Sequence, residues 1–281
     1  MTTLTLAPDA PRTAAELRGR FRDLLAAEWI KLWSLRSTPW VLGLSALAII
    51  GANLNSAKYT YDHFTAGDTA SMYVQTALNA SFTMIAADIL MLVASSVGAI
   101  VIVSEYATGM IRTTVAAVPD RRAVLAAKAC VLTAVMLGYG ILVAGTSFGL
   151  SQAILSGRRI GLSITHPGAL RFIAAAALFA PVCALVGMGM GVLIRHSAAT
   201  VVGTVLVLFF LPSFFNETHR WSADVLHAMP LTAWRRLAQI DMTNVFVPHY
   251  PATLGGAWIT FAAWPLVSVV IATIAVHRRD L

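Results

Sequence analysis

The chain has 281 residues, of which 58% are hydrophobic and only 12% charged, about half the roughly 25% charge of an ordinary soluble domain. That balance excludes a soluble globular protein and points to a polytopic membrane protein, since no stretch outside the apolar runs is long enough to bury a core of its own. The net charge of +7 is no sign of nucleic acid, because membrane proteins gather Lys and Arg in cytoplasmic loops; Cys130 and Cys183 both lie inside apolar runs, where a thiol behaves as a small hydrophobe.

In chain order, residues 1–13 are small, polar and proline-containing, without the apolar core of a signal peptide, and read as a flexible tail. Residues 14–36 read as an amphipathic helix lying in the membrane interface. Leu17, Phe21, Leu25, Trp29 and Leu32 recur at helical spacing with Arg18 and Arg22 on another face, as a helix beside anionic headgroups requires. A soluble amphipathic helix packed on another element would carry the same pattern. Ser37-Thr38-Pro39 then supplies a helix start. A single membrane domain follows over residues 37–281, with spans at about 40–57, 80–103, 123–150, 170–194, 198–215 and 254–276. Each covers a ~30 Å hydrocarbon core at 1.5 Å per residue, the first and fifth only just. The polar segment to Leu78, with Tyr59, Tyr61 and Tyr73, reads as an interfacial connector. Arg195-His196-Ser197 forces the fourth and fifth spans into a tight hairpin. Residues 216–253 are the longest polar excursion, with an amphipathic stretch broken at Pro230; their Trp221, Trp234, Arg235 and Arg236 suit either an outer gate or an interfacial aromatic belt. The expected fold is all-α with six transmembrane helices.

Six spans put both termini on one side. With the N-terminus inside, thirteen of the twenty Lys and Arg residues are cytoplasmic, among them Lys31, Arg36, Arg112 and Lys128, against seven outside. This bias predicts cytoplasmic termini and a cytoplasmic 104–122 stretch. The seven His residues lie in connectors or at span ends without an i, i+4 pair, so no metal site is expected. No catalytic residues are expected either. Gly187-Met-Gly-Met-Gly191 sits inside an apolar run with no preceding strand, and no Gly-Lys-Ser/Thr occurs anywhere, so the chain binds no nucleotide by a phosphate loop. Gly187 and Gly191 instead have GxxxG spacing for close helix packing, within the chain or across a dimer.

Asp88 is the one acid inside a span. A span beginning after it, at Ile89, would reach only about 22 Å by Val103 at 1.5 Å per residue, so Asp88 is expected within the bilayer, toward the outer half. An ionised Asp there costs about 2.5–3.5 kcal/mol and must face protein or a wet cavity. It serves either a translocation or coupling path or a structural interhelical hydrogen bond.

Between the second and third spans stands Glu105-Tyr-Ala-Thr-Gly109-Met-Ile-Arg112-Thr-Thr114, followed by Val-Pro119-Asp-Arg-Arg122 and Ala126-Ala-Lys128; before the first span stands Glu28-Trp29-Ile-Lys31-Leu-Trp33-Ser-Leu-Arg36-Ser. These stretches, their order and their positions relative to the spans closely resemble the permease subunits of type-2 ABC (ATP-binding cassette) exporters, especially the actinobacterial kind. The resemblance implies a chain in the bacterial plasma membrane with no cofactor of its own, in which a cytoplasmic coupling helix docks on a cytosolic ABC ATPase subunit carrying ATP and Mg. It further implies two ATPase copies, a second permease subunit (identical or paralogous) and lipids as partners, with no nucleic acid. The coupling residues would be Glu105, Gly109, Met110, Ile111, Arg112, Thr113 and Thr114, and the leading helix would contribute Glu28, Trp29, Lys31, Trp33 and Arg36.

The residues of the hinge support a matching shape. The second span can end near Thr108 with Gly109 as a left-handed cap. Residues 110–118 can form a short helix with Met110, Ile111 and Val115 on its apolar side and Arg112 and Thr113 at the rim, stopped at Pro119, with Asp120 capping the third span. Glu105 can pair with Arg112 or with a leading-helix cation such as Lys31. Two other functions fit the same chain: an ion- or proton-coupled secondary transporter with Asp88 as the coupling acid, and a membrane anchor or sensor that recruits a cytosolic partner. Paired halves with corresponding Gly/Pro-broken spans, common in the former class, are absent.

Overall fold

The structure, a computed structural model, describes residues 21–64, 70–109, 120–238 and 250–278. Among these residues there is no strand. The helices are α1 (Phe21–Ser34), α2 (Ser37–His63), α3 (Ala70–Ser81), α4 (Met84–Ala107), α5 (Arg121–Ser156), α6 (Ala169–Ile194), α7 (Ser197–Val205), α8 (Arg220–His227), α9 (Pro230–Leu237) and α10 (Leu254–Arg278). Six segments of the described chain are long and apolar enough to cross a membrane: α2, α3 with α4, α5, α6, α7 with its extension to Phe214, and α10. Large apolar side chains stand on the outside, among them Trp40 (71% exposed), Leu47 (70%) and Ile259 (69%). Water would penalise such a surface, whereas lipid accepts it.

The bundle is built around α6. Half of its buried residues are alanine or glycine, including Ala175, Ala176, Ala180, Ala184, Gly187 and Gly191, so neighbouring backbones come close without driving side chains apart. Gly187 and Gly191 pack within the chain against α4: a Cβ on Gly187 would lie 1.9 Å from the Ser95 carbonyl oxygen, and one on Gly191 2.2 Å from Ile102. In return, Gly98 of α4 faces the Ala184 carbonyl and Gly140 of α5 faces that of Ala177. At the end of α6 Arg195 takes a left-handed turn (φ 59°), and the His196 ring accepts a hydrogen bond from Ala199 N–H at the start of α7, which closes the hairpin. α7 then passes through a π-helical turn, Leu206–Phe210, and a 3₁₀ turn, Leu211–Phe214.

Two regions depart from the sequence reading. The polar segment before the second span is helical from Ala70 as α3, and the backbone breaks only at Phe82 and Thr83. Gln152 of α5 holds α3 by donating to the Ala77 carbonyl and the Ser81 hydroxyl. Asn53 of α2 accepts from Thr83 N–H at 2.9 Å and donates to Ser147, while Thr83 caps α4 by accepting from Ala86 N–H. Polar side chains of α2 and α5 thus stabilise a helix and a break that hydropathy alone does not reveal. The second departure is Trp234. Far from lying in an interfacial belt, it is fully buried, between Phe82 and Phe179 at ring-centroid distances of 5.8 Å each. Pro230 starts α9 rather than merely interrupting a helix, and this re-aims Leu231, Trp234 and Leu237 into the bundle. Trp221, by contrast, is 65% exposed.

Candidate functional site

At the end of the bundle opposite Trp234, α1, the last turns of α4 and the first turns of α5 meet. Glu28 and Lys31 stand three residues apart on α1, one turn of helix, so both side chains leave the same face. Glu28 accepts from Lys31 through Oε1 at 2.7 Å and from Lys128 of α5 through Oε2. Glu105 Oε1, on α4, accepts from Lys31 and from Lys128, each at 3.0 Å. The four groups close an alternating ring, Glu28–Lys31–Glu105–Lys128, with no net formal charge. Glu28, Glu105 and Lys128 are almost fully buried, and Lys31 is 29% exposed. Charges withdrawn this far from water persist only when paired and hydrogen-bonded, and here each carboxylate meets both ammonium groups. Burial alone would lower the Lys31 pKa, but its bonds and charge interactions with Glu28 and Glu105 outweigh that and raise it. Beside the ring lies a cleft of about 100 Å³ lined also by Ser34, Val101, Ser104 and Thr108.

Leu32 and Glu28 face the bundle and Leu25 packs against its core, whereas Phe21, Trp29 and Trp33 are exposed. Ion pairing with α4 and α5 ties the Glu28 side of the helix to the bundle. Trp29 and Trp33 lie against each other with ring centroids 5.8 Å apart. Arg36 is exposed at the junction of α1 and α2. Leu17 and Arg18, like the tail 1–13, lie outside the described residues.

Immediately after the ring the helix stops. Thr108 N–H bonds the Ser104 carbonyl and Gly109 N–H that of Tyr106, with Gly109 at φ +69°, a conformation glycine adopts without the Cβ penalty. Arg195, at the end of α6, places its guanidinium 5.1 Å from the Tyr106 ring centroid, fixing this last turn from a fourth helix. On the far side, the Asp120 carboxylate accepts from Arg122 and Ala123 N–H at 3.1 and 3.2 Å and starts α5. Met110, Ile111, Arg112, Thr113 and Thr114, and the short helix expected over 110–118, lie outside the described residues.

Sequence reasoning paired Glu105 with Lys31 as one option and missed Lys128 as a third party. The signal was available: Lys128 is the lone cation within the apolar run 123–150, and a cation there demands a counter-charge. Asp88 occupies the second turn of α4, far from the ring. Its Oδ1 is buried without a hydrogen-bond partner among the described residues, and Arg235 of α9 is the cation whose charge acts on it. Compared with protein-family models and with curated proteins, the chain matches none.

Proposed function

We propose that the chain is the permease subunit of an ATP-driven, type-2 ABC exporter, embedded in the bacterial plasma membrane with both termini cytoplasmic. In this reading the 104–122 hinge docks on a separate cytosolic ATPase, which carries the ATP and Mg, and two permeases enclose the translocation path. The observation that carries the proposal is the buried charge ring at Glu105. A hinge that receives force must be tied to what it moves, and Glu105 is the last buried residue before Gly109 and the docking stretch. A displacement of the hinge pulls on Glu105 and, through Lys31 and Lys128, on the leading helix and the third span together. Separating any one member leaves an uncompensated buried charge, so the three elements move as a unit. Gly109 and Asp120 bracket the docking stretch with a defined stop and start.

The test is purification of the tagged full-length chain from its native membranes in mild detergent. An ATPase with a phosphate loop is expected to co-purify, and Arg112→Ala or Gly109→Val is expected to abolish transport-coupled ATP hydrolysis. Substrate movement by the chain alone, reconstituted in vesicles under an ion gradient, would overturn the proposal. It would favour a second reading, an ion-coupled carrier, which the unpartnered Asp88 oxygen supports; in that case Asp88→Asn removes gradient-driven uptake.

A further inference from the structure

At the Trp234 end of the bundle, α2 and α5 part and leave an open groove of about 410 Å³. Leu54, Lys58 and Asp62 line it at successive turns of α2, with Asn55 and Tyr61 beside them and Ile154 of α5 across from the turn between Lys58 and Asp62. Read along α2, the wall passes from Leu54 and the neutral amide of Asn55 to a cation and then to an anion. Lys58 and Asp62 are exposed, and among the described residues neither enters an ion pair. Arg158 brings a second cation to the lip, 4.8 Å from the centre of the Tyr61 ring. The depth of the groove follows from the helix itself. From Trp40 to Ala57 the apolar stretch is roughly 18 residues, or about 27 Å at 1.5 Å per residue, so Lys58 stands where hydrocarbon gives way to headgroups. Tyr59 and Tyr61 at the same level match the aromatic composition of that boundary.

We propose that this groove binds a phospholipid with a zwitterionic, primary-amine headgroup. An acyl chain descends along Leu54, the phosphate meets Lys58 with Arg158 adjoining, and the ammonium meets Asp62, while Ile154 walls the headgroup level from α5. The order is the one the lipid imposes, because its phosphate lies between the glycerol and the outermost amine. The single turn from residue 58 to 62, about 6 Å, is commensurate with that headgroup. A primary ammonium donates charge-assisted hydrogen bonds to a carboxylate, a trimethylated amine has no N–H to donate, and a glycerol headgroup offers Asp62 no cation. The inference uses only the membrane-spanning fold and is independent of the exporter proposal.

Native mass spectrometry of the full-length chain, titrated with phosphatidylethanolamine, phosphatidylcholine and phosphatidylglycerol of identical acyl chains, tests it. Phosphatidylethanolamine is expected to bind about tenfold more tightly than either competitor, the weight of one charge-assisted hydrogen bond. Lys58→Gln and Asp62→Asn, both on exposed positions, are each expected to weaken it by about the same factor at unchanged melting temperature. The swapped chain, Lys58→Asp with Asp62→Lys, keeps its net charge and is expected to lose the preference. Equal binding of the three lipids by the unaltered chain, preference for another of them, or a swapped chain that binds phosphatidylethanolamine as before, would each overturn the assignment; the ranking by the unaltered chain alone suffices for that.

Discussion

Four side chains from three helices show how charge can be stored in an apolar setting. Each member of the Glu28–Lys31–Glu105–Lys128 ring has two partners, so deletion of one leaves two like charges facing a single counter-charge. Lys128→Met is expected to lower stability by about 3–5 kcal/mol, read as a fall in the thermal midpoint of the purified chain. Glu28→Gln combined with Lys128→Met restores neutrality and is expected to cost less than the sum of the two single changes. The sign of the pH dependence follows from Lys31, whose folded pKa is raised above the ordinary value of 10.5. Its contribution is fully present below that value and is lost as pH rises through the higher folded one. Thermal scans should therefore show a loss of stability above about pH 10.5 that Lys31→Met diminishes. Of this ring, sequence reasoning could reach the Glu105–Lys31 contact, because Glu105 opens the hinge and Lys31 is a cation of the leading helix expected on the same side of the membrane. Lys128 needed the third dimension, since nothing in one dimension says which acid, 23 or 100 residues earlier, answers it.

Helices in lipid gain little from burying apolar surface against one another, so backbone proximity carries the packing. Gly98 and Gly187 meet the partner backbone across the α4–α6 contact, where an added Cβ would lie 1.9 Å from a carbonyl oxygen in either case. Gly187→Ala or Gly98→Ala is expected to force α4 and α6 apart and to destabilise by about 1–3 kcal/mol or more. Gly145→Ala on α5, with nothing within 4 Å of the new atom, is expected to leave the melting temperature unchanged or raise it through helix propensity. The long helices were legible because a run of apolar residues is a direct statement about lipid. The spacing of Gly187 and Gly191 disclosed close packing but not its partner. α3 was not legible: its residues are mixed in polarity, and its helix is held by Gln152 from a distant helix. Trp234 was misread for a related reason, since an amphipathic stretch of two short helices looks the same whether its apolar side meets lipid or Phe82 and Phe179.

For the whole molecule, the paths of the spans put the start of α2 and the end of α10 together with the charge ring, and α8 and α9 at the opposite end. The predominance of Lys and Arg near the ring orients that end to the cytoplasm in the proposed reading. In a chain with Cys130 and Cys183 replaced by alanine, cysteines at Arg158 or Thr218 are expected to react with a membrane-impermeant maleimide in intact cells. Cysteines at Ser34 or Asp120 are expected to react only after permeabilisation. The reverse pattern would put the hinge out of reach of any cytosolic ATPase.

The ring also imposes an order on biogenesis. Glu28 and Lys128 are 100 residues apart, so at translation rates of roughly 5–20 residues per second the first carboxylate waits about 5–20 s for its buried partner. Until then Glu28 has only Lys31, one turn along the same helix, as a ring partner, and Lys31 gains Glu105 23 residues before Lys128 completes the ring. The ring therefore closes only once α5 is in place, since Lys128 is its last member in the chain and the only one that α5 supplies.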